Sequence, residues 1–387
     1  MQLEVHDSLQ HIGLRDWNTL NLHHNPFLRY EFFDALEKSQ CVGAHSGWIP
    51  QYVTAHENNQ LIAVVPMFIK HHSYGEYIFD WAWAQAYERH GLAYYPKLVI
   101  GVPFTPATGS RILLHPLIKN PEKYAKDIID FCQQHAKKIG ASSIHCLFST
   151  EDENRSFTQQ GFMPRLSNQF HWCNQDYTSF DDYLSVLTSR HRKKIKRERQ
   201  RVTEQGITLK VNIGDNISPE QWQHFYHFYQ TTCYDKGGVA YLNATFFELL
   251  AAHMPENLML ITAHTNERIV ACALFLFNDN TLYGRYWGSD QAFHSLHFET
   301  CYYKPIEYCI QHSITNFEAG AQGEHKLSRG FLPTPIYSTH WIADDTFRDA
   351  IAHFLRQEKQ FTSHYQDELN KHSPFKATEQ QTGETSQ

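Results

Sequence analysis

The most informative segment of the chain is YGRYWGSDQAFHSLHFETCYYKPIEYCIQHSITNFEAGAQGEHKLSRGF, residues 283–331. Its pattern predicts an aromatic strand at 281–288, a helix at 293–312 with a kink at Pro305, and a strand at 315–319. A loop crowded with hydrogen-bonding and ionisable side chains follows. Because loops that carry convergent polar groups on such a scaffold usually hold binding or catalytic sites, we expect a functional site here.

Part of this pattern occurs a second time, about 208 residues earlier in the chain. The strand-like segment QLIAVVPMF (60–68) matches RIVACALFL (268–276), and each follows a short polar turn. A Tyr-Gly segment comes next in both halves, and YGEYIFDW (74–81) is predicted as a strand like its counterpart at 283. The repeat predicts two copies of one α/β unit, spanning 1–175 and 176–375.

The remaining elements are expected to follow the same order in both halves. Helices are predicted near 14–22, 28–38, 121–139, 152–160, 218–234, 243–253 and 345–370. Further strands are predicted near 50–56, 97–101, 143–148, 258–264 and 336–342.

The composition is that of an ordinary soluble globular protein, with 42% hydrophobic and 19% charged residues. The 26 histidines are scattered without an HExxH or Cys/His ligand pattern, so no metal site is expected. There is no signal peptide pattern and no apolar run of about 20 residues, which favours a cytoplasmic protein. The polar residues 376–387 are expected to form a disordered tail.

A basic segment, RHRKKIKRERQR (190–201), carries eight Lys or Arg and one Glu in a chain of net charge −7. We predict a basic helix at 188–206, continuous with the amphipathic residues just before it. A solvated helix face and a linker remain open as explanations. A polyanionic ligand is favoured, with Lys193, Lys194 and Arg197 as contacts.

Five segments resemble the bacterial FemAB-like group of peptidoglycan biosynthesis/recognition proteins: NPFLRYEFFDALE (25–37), PFTPATGSRIL (103–113), SRHRKKIKRERQR (189–201), FHSLHFETCYY (293–303) and FEAGAQGEHKLSRGF (317–331). The resemblance implies a tandem duplicated GCN5-related N-acetyltransferase fold of the FemABX type, an α/β (α+β) fold with mixed, mostly antiparallel sheets flanked by helices. It also implies transfer of an acyl group from a CoA thioester or an aminoacyl-tRNA to an amine, in envelope metabolism.

The acetyltransferase loop Arg/Gln-x-x-Gly-x-Gly/Ala is not found after a central strand; the nearest local analogue is 105–111. An amine or an envelope precursor is the expected acceptor, and the basic helix is a candidate tRNA contact.

Acyl transfer to an amine requires a base for the amine proton and donors for the developing oxyanion. Glu318 and His325 are the candidate bases, Tyr302 and Tyr303 candidate proton donors, and Glu299 belongs to the same polar cluster. The remaining binding candidates are polar or aromatic: Arg285, Trp287, His297, Gln322, Glu324, Lys326 and Arg329 in the second half, and Gln85, Arg89 and Arg111 in the first.

Each assignment has a structural alternative. Glu318 could form an ion pair with Lys326 or Arg329 and only fix the loop, and His325 could bond to backbone. For the whole chain, a non-catalytic ligand-recognition module of the same fold is the main rival. A nucleic-acid-binding protein is a weaker rival because the net charge is negative.

Overall fold

The computed structural model describes residues 1–266, 268–321 and 323–376. They form two compact units. Unit 1 contains Met1–Asn168, Tyr241–Pro255 and Pro335–Ser363, and unit 2 contains Gln169–Ala240, Glu256–Thr334 and the residues from His364 onward. Apart from Lys376, the tail predicted at 376–387 lies outside the described residues.

The strands are β1 (Gln2–His6), β2 (Trp48–Pro50), β3 (Tyr52–Glu57), β4 (Gln60–Val65), β5 (Met67–Lys70), β6 (Lys97–Ile100), β7 (Leu113–Leu114), β8 (Ser143–Ser149), β9 (Met163–Cys173), β10 (Ile207–Ile213), β11 (Leu258–Thr265), β12 (Arg268–Phe277), β13 (Thr281–Ser289), β14 (Asn316–Glu318) and β15 (Leu332–Ile342).

The helices are α1 (Leu14–Leu20), α2 (Tyr30–Lys38), α3 (Trp81–Arg89), α4 (Pro121–Lys138), α5 (Glu151–Gln159), α6 (Phe180–Val186), α7 (Ser189–Glu204), α8 (Pro219–Asp235), α9 (Ala244–His253), α10 (Leu296–Phe298), α11 (Lys304–Gln311) and α12 (Asp345–Lys371). In the described parts of the chain, no helix has the length and apolar character needed to cross a bilayer.

Unit 1 contains one sheet in the order β1-β3-β4-β7 and a second run in which β2, β5, β6 and β8 are neighbours. Among these described pairs, β6–β8 is parallel and the others are antiparallel. Apolar residues of α4, such as Ile128 and Ile129, pack on β-branched side chains of the strands and close a buried core. Asn120 caps the first turn of α4 and Pro121 begins it, and the helix agrees with the one predicted at 121–139.

Unit 2 is built on β10-β11-β12-β13-β14, and the C-terminal half of β9 pairs with β14. The pairs β10–β11, β11–β12 and β12–β13 are antiparallel and β13–β14 is parallel. The core includes Trp172, Ile261, Phe275, Ile306 and Phe317. The mixed, mostly antiparallel sheets flanked by helices confirm the predicted α/β class.

The prediction of a strand at 74–81 is wrong. Residues 74–80 form turns and irregular backbone, and helix α3 begins at Trp81. The segment folds inward because the carboxylates of Glu76 and Asp80 both bond the buried ammonium of Lys97. Tyr74-Gly75 is therefore not the structural counterpart of Tyr283-Gly284, which lies in β13.

The basic helix predicted at 188–206 is confirmed as α7, but the prediction that it continues from the amphipathic residues before it is wrong. The helical backbone is interrupted at Leu187 and Thr188, which are extended, so α6 and α7 are separate helices. Leu187 is fully buried and forms a bridge with Phe375, and the Thr188 amide donates to the carbonyl of Pro374. These contacts hold the break in place, and they come from a segment nearly 190 residues further along the chain.

The helix predicted at 293–312 is interrupted, as its proline indicated. A π-helical turn, Glu299–Tyr303, lies between α10 and α11, and Pro305 occupies the first turn of α11. Single π turns inside α-helices are frequent at functional sites, because the extra residue redirects the side chains around it.

Candidate functional site

The π turn and the loop after β14 bring together several of the residues singled out in the sequence. The side-chain oxygen of Tyr302 lies 2.9 Å from Nε2 of His325. The ring of His297 has its centroid 5.4 Å from that of Tyr302 and 6.2 Å from that of His325. Trp287 contacts His297 at 5.4 Å between centroids. We call Trp287, His297, Tyr302 and His325 the aromatic–histidine cluster.

Burial sets the protonation of this cluster. It lowers the pKa of His297 to about 4 and also lowers that of His325, which the nearby cations Arg329 and Lys326 depress further. Burial raises the pKa of Tyr302. At neutral pH the cluster therefore holds two uncharged imidazoles and a protonated phenol, which is the state a proton acceptor and a proton donor need.

Lys326 is a buried cation beside this cluster. The side chain is 2% exposed, and Nζ donates to the carbonyl oxygen of Gly320 at 2.8 Å. Within the described residues it forms no ion pair. Burial lowers its pKa to about 8, so the ammonium form still predominates at neutral pH but is lost at a lower pH than in an ordinary lysine.

Gly323 shapes the space next to His325. Its φ is +117°, a conformation that L side chains rarely adopt. A Cβ on this residue would lie 2.9 Å from Nδ1 of His325 and 2.5 Å from Cε1. Glycine is required here both for the backbone conformation and to leave the Nδ1 side of the imidazole open.

Arg329 anchors the loop that contains His325 through several hydrogen bonds. Its Nη2 donates to both carboxylate oxygens of Glu198, at 2.9 and 2.8 Å, and its Nε donates to the hydroxyl of Tyr303 at 2.9 Å. Nη1 donates to the carbonyl of His325 at 2.7 Å, and the guanidinium lies 3.5 Å from the ring centroid of Phe298. Arg329 and Tyr303 are thus engaged in fixing the loop to α7.

A second ion pair joins the basic helix to the π turn. Arg199 donates from Nε to both oxygens of Glu299 at 3.1 Å, and its Nη2 lies 2.9 Å from Oε1. Burial raises the pKa of Glu299, while Arg199 opposes that shift. Sequence reasoning missed both Glu198 and Arg199 as partners, although Glu198 is the single acidic residue of the run 190–201.

Glu318 ends strand β14 and lies opposite His171 of β9 in the antiparallel register. Burial lowers the pKa of His171 to about 4, and its Nε2 lies 3.0 Å from Oε1 of Gln169. These two residues were missed because β9 itself was not predicted. Their i, i+2 spacing in the segment QFH, on one face of a strand, was the available signal.

The other predicted residues are distributed more widely. Glu324 accepts a hydrogen bond from the hydroxyl of Tyr365, and Arg285 lies over the ring of Tyr286. Gln322 lies outside the described residues. Lys194 donates to Oγ of Ser328 at 3.1 Å, whereas Lys193 and Arg197 are exposed.

The three candidates of the first half all belong to unit 1. Arg111 is 1% exposed, and its guanidinium donates to the carbonyls of Leu147 and Ala107 at 2.7 Å each. Gln85 and Arg89 lie on the exposed face of α3. Their predicted binding roles stay predictions.

Unit 1 also holds a buried charge network that the sequence did not reveal. Lys97 is fully buried, and Nζ donates to Oγ of Ser73 and Oε2 of Glu76 at 2.8 Å each and to Oδ2 of Asp80. The hydroxyl of Tyr94 also donates to Oδ2 of Asp80, at 2.6 Å. In the described parts of the chain, no group of three or more His, Cys, Asp or Glu side chains is placed to hold a metal ion.

Several solved structures have a similar fold. FemX matches with a TM-score of 0.55 at 12% identity, covering 91% of this chain and 100% of its own. The C-terminal domain of a candidate lysylphosphatidylglycerol synthetase from Agrobacterium fabrum matches with 0.53 at 8%, covering 90% and 95%. L-PGS from Bacillus licheniformis matches with 0.50 at 8%, covering 84% and 96%. At these identities the likeness shows the fold alone.

The chain therefore has the mixed α/β fold of FemX, as the sequence predicted. The family model of the FemAB-like proteins, described as peptidoglycan biosynthesis/recognition, matches residues 8–377. The chain belongs to the FemAB-like family. No curated protein matches the sequence.

Proposed function

We propose that this protein is an N-acyltransferase or aminoacyltransferase that moves an acyl group to an amine acceptor in peptidoglycan metabolism. The observation that carries the proposal is the pair Tyr302–His325, joined at 2.9 Å beside the buried ammonium of Lys326. A neutral imidazole, a protonated phenol and a cation in one place supply a base, a proton donor and a group that stabilises negative charge.

In the proposed reaction the acceptor nitrogen attacks the carbonyl carbon of the donor. A carbon–nitrogen bond forms, and the carbon–sulfur bond of a thioester or the carbon–oxygen bond of an aminoacyl ester breaks. His325 accepts the proton lost by the amine, and Tyr302 donates a proton to the departing sulfur or oxygen. Lys326 stabilises the negative charge that develops on the carbonyl oxygen or on a donor phosphate.

The donor is a CoA thioester or an aminoacyl-tRNA, and the acceptor an amine of an envelope precursor. The family description and the FemX-like fold support this choice of chemistry. Glu318 stays a second candidate for the base, because it lies at the end of β14 close to the start of the loop that carries His325.

A donor screen tests the proposal. Purified protein is incubated with acyl-CoAs or aminoacyl-tRNAs and an amine acceptor, and amide product is measured by mass spectrometry. Formation of an amide that depends on the protein supports the proposal. Stabilisation of the protein by a donor without any product would indicate a recognition module, and neither binding nor product with either donor class would contradict it.

The pH dependence of turnover should be bell-shaped and displaced from the ordinary histidine and lysine values. Since the pKa of His325 is lowered, its basic form persists below pH 6.5, and the acid limb should lie below that value. Since the pKa of Lys326 is about 8, its ammonium is lost as the pH rises through about 8. The initial rate measured against pH checks both limbs, and Lys326→Arg should move the alkaline limb upward. An unchanged alkaline limb in that variant would exclude Lys326 as its source.

A further inference from the structure

The exposed face of α7 carries a row of cations whose charges are not neutralised by neighbours. Arg190, Lys193, Arg197 and Arg201 are exposed, and Lys194 is half-buried beside them. At 100° per residue these five positions fall within about 100° of the helix circumference. They form what we call the α7 cation row.

Of the other charged residues of α7, three lie outside this arc and are engaged, whereas Glu204 lies within it at the C-terminal end of the helix and accepts a hydrogen bond from Gln200. Arg199 bonds Glu299, Lys196 lies 3.5 Å from Asp181, and Glu198 pairs with the buried Arg329. Within the described residues, no ion pair involves a member of the cation row. The helix therefore separates its structural charges from a set directed at solvent.

We propose that the α7 cation row docks the protein onto an anionic lipid bilayer. Rows of four or more Lys and Arg on one helix face bind anionic membranes by charge complementarity, each cation adding a similar increment of affinity. The row extends over about three turns of helix, and a protein whose net charge is −7 needs such a local concentration of positive charge to approach an anionic surface.

A single-stranded nucleic acid fits the row less well. Proteins that grip such strands combine cations with aromatic side chains on which bases stack. The segment 189–204 contains no Phe, Tyr or Trp. The α7 cation row thus offers contacts to phosphate groups and none to bases. A bilayer surface presents phosphate headgroups along the whole length of the row.

Vesicle sedimentation with the full chain tests the inference and does not depend on catalysis. Wild-type protein should bind vesicles of phosphatidylcholine containing about 30% phosphatidylglycerol and not vesicles of phosphatidylcholine alone, and the binding should weaken as salt is raised. The triple variant Arg190→Gln/Lys193→Gln/Arg197→Gln should bind about 100-fold more weakly, since three cations are lost.

The matched control is Lys119→Gln/Lys123→Gln/Lys126→Gln, which changes the net charge equally through exposed lysines of unit 1. It should bind as wild type does, and thermal unfolding should show that both triple variants are folded. Equal loss in both triples, or no preference of the wild type for anionic vesicles at low salt, would overturn the inference. So would row-dependent binding of RNA in a filter assay without vesicle binding.

Discussion

Replacing Lys97 with methionine should lower the free energy of unfolding by about 3–5 kcal/mol, because two buried carboxylates then lose their shared cation. Glu76 and Asp80 are 3% and 2% exposed, and both bond Nζ of Lys97. Methionine fills much of the lysine volume, so the lost charge dominates over any cavity. Urea unfolding monitored by circular dichroism measures the change.

The loss of unfolding free energy in Lys97→Met should depend on pH in a defined direction. Burial raises the pKa of Glu76 to about 7, so the folded chain takes up a proton there at higher pH than the unfolded chain does. In the Lys97→Met variant the ammonium that lowers the pKa of both carboxyls is gone, so both take up their protons at a higher pH than in the wild type. The destabilisation should therefore be largest above neutral pH and should shrink at roughly pH 5.5.

Two controls separate the ion pairs from packing. Lys123→Met, at an exposed position of α4, should change the stability by less than about 0.5 kcal/mol. Adding Glu76→Gln and Asp80→Asn to Lys97→Met should recover part of the loss, because the buried charges are then removed together. If Lys97→Met unfolds at the same urea concentration as wild type at pH 7.5, the network does not stabilise unit 1 in the way we describe.

This network shows where sequence patterns stop predicting structure. The periodicity of α4, with Pro121 at its start, fixed that helix almost to the residue, because capping and an apolar face are local signals. The segment 74–81 has the aromatic alternation of a strand, yet its backbone is decided by Lys97, about 20 residues away in sequence. No local pattern encodes such a partner.

In the candidate site, too, the local features could be predicted from the sequence and the effects of distant residues could not. Tyr302, His325 and Lys326 could be selected from residue type and from their position near strand and helix ends, and in the structure Tyr302 and His325 bond each other with Lys326 next to them. Their protonation states could not be predicted from the sequence, since these follow from burial by segments that are distant along the chain. Arg329 illustrates the difference: the sequence offers it as a binding candidate, but its guanidinium is occupied by Glu198 on α7.

The second large effect is expected at His325. If its imidazole takes the amine proton, His325→Ala should lower kcat by about 10²–10⁴-fold. Substrate binding should change much less, because proton transfer is needed in the transition state and not for binding. Steady-state kinetics on the amide-forming reaction measures both constants.

The matched control, His312→Ala, removes an exposed histidine of unit 2 and should leave kcat unchanged. A kcat for His325→Ala within about threefold of wild type would transfer the role of base to Glu318.

Tyr302→Phe distinguishes a base from a histidine that only holds the loop. For Nδ1 of His325 to accept the amine proton on the side that Gly323 leaves open, Nε2 must carry the other hydrogen and donate it to the Tyr302 oxygen. That hydrogen bond favours the charged imidazolium, so its removal should lower the pKa of His325 further and move the acid limb of the pH–rate profile to lower pH, with a slower plateau. A purely structural histidine would give no such displacement. Movement of the limb to higher pH would mean that Tyr302 donates to Nε2, and the proton acceptor would then not be Nδ1.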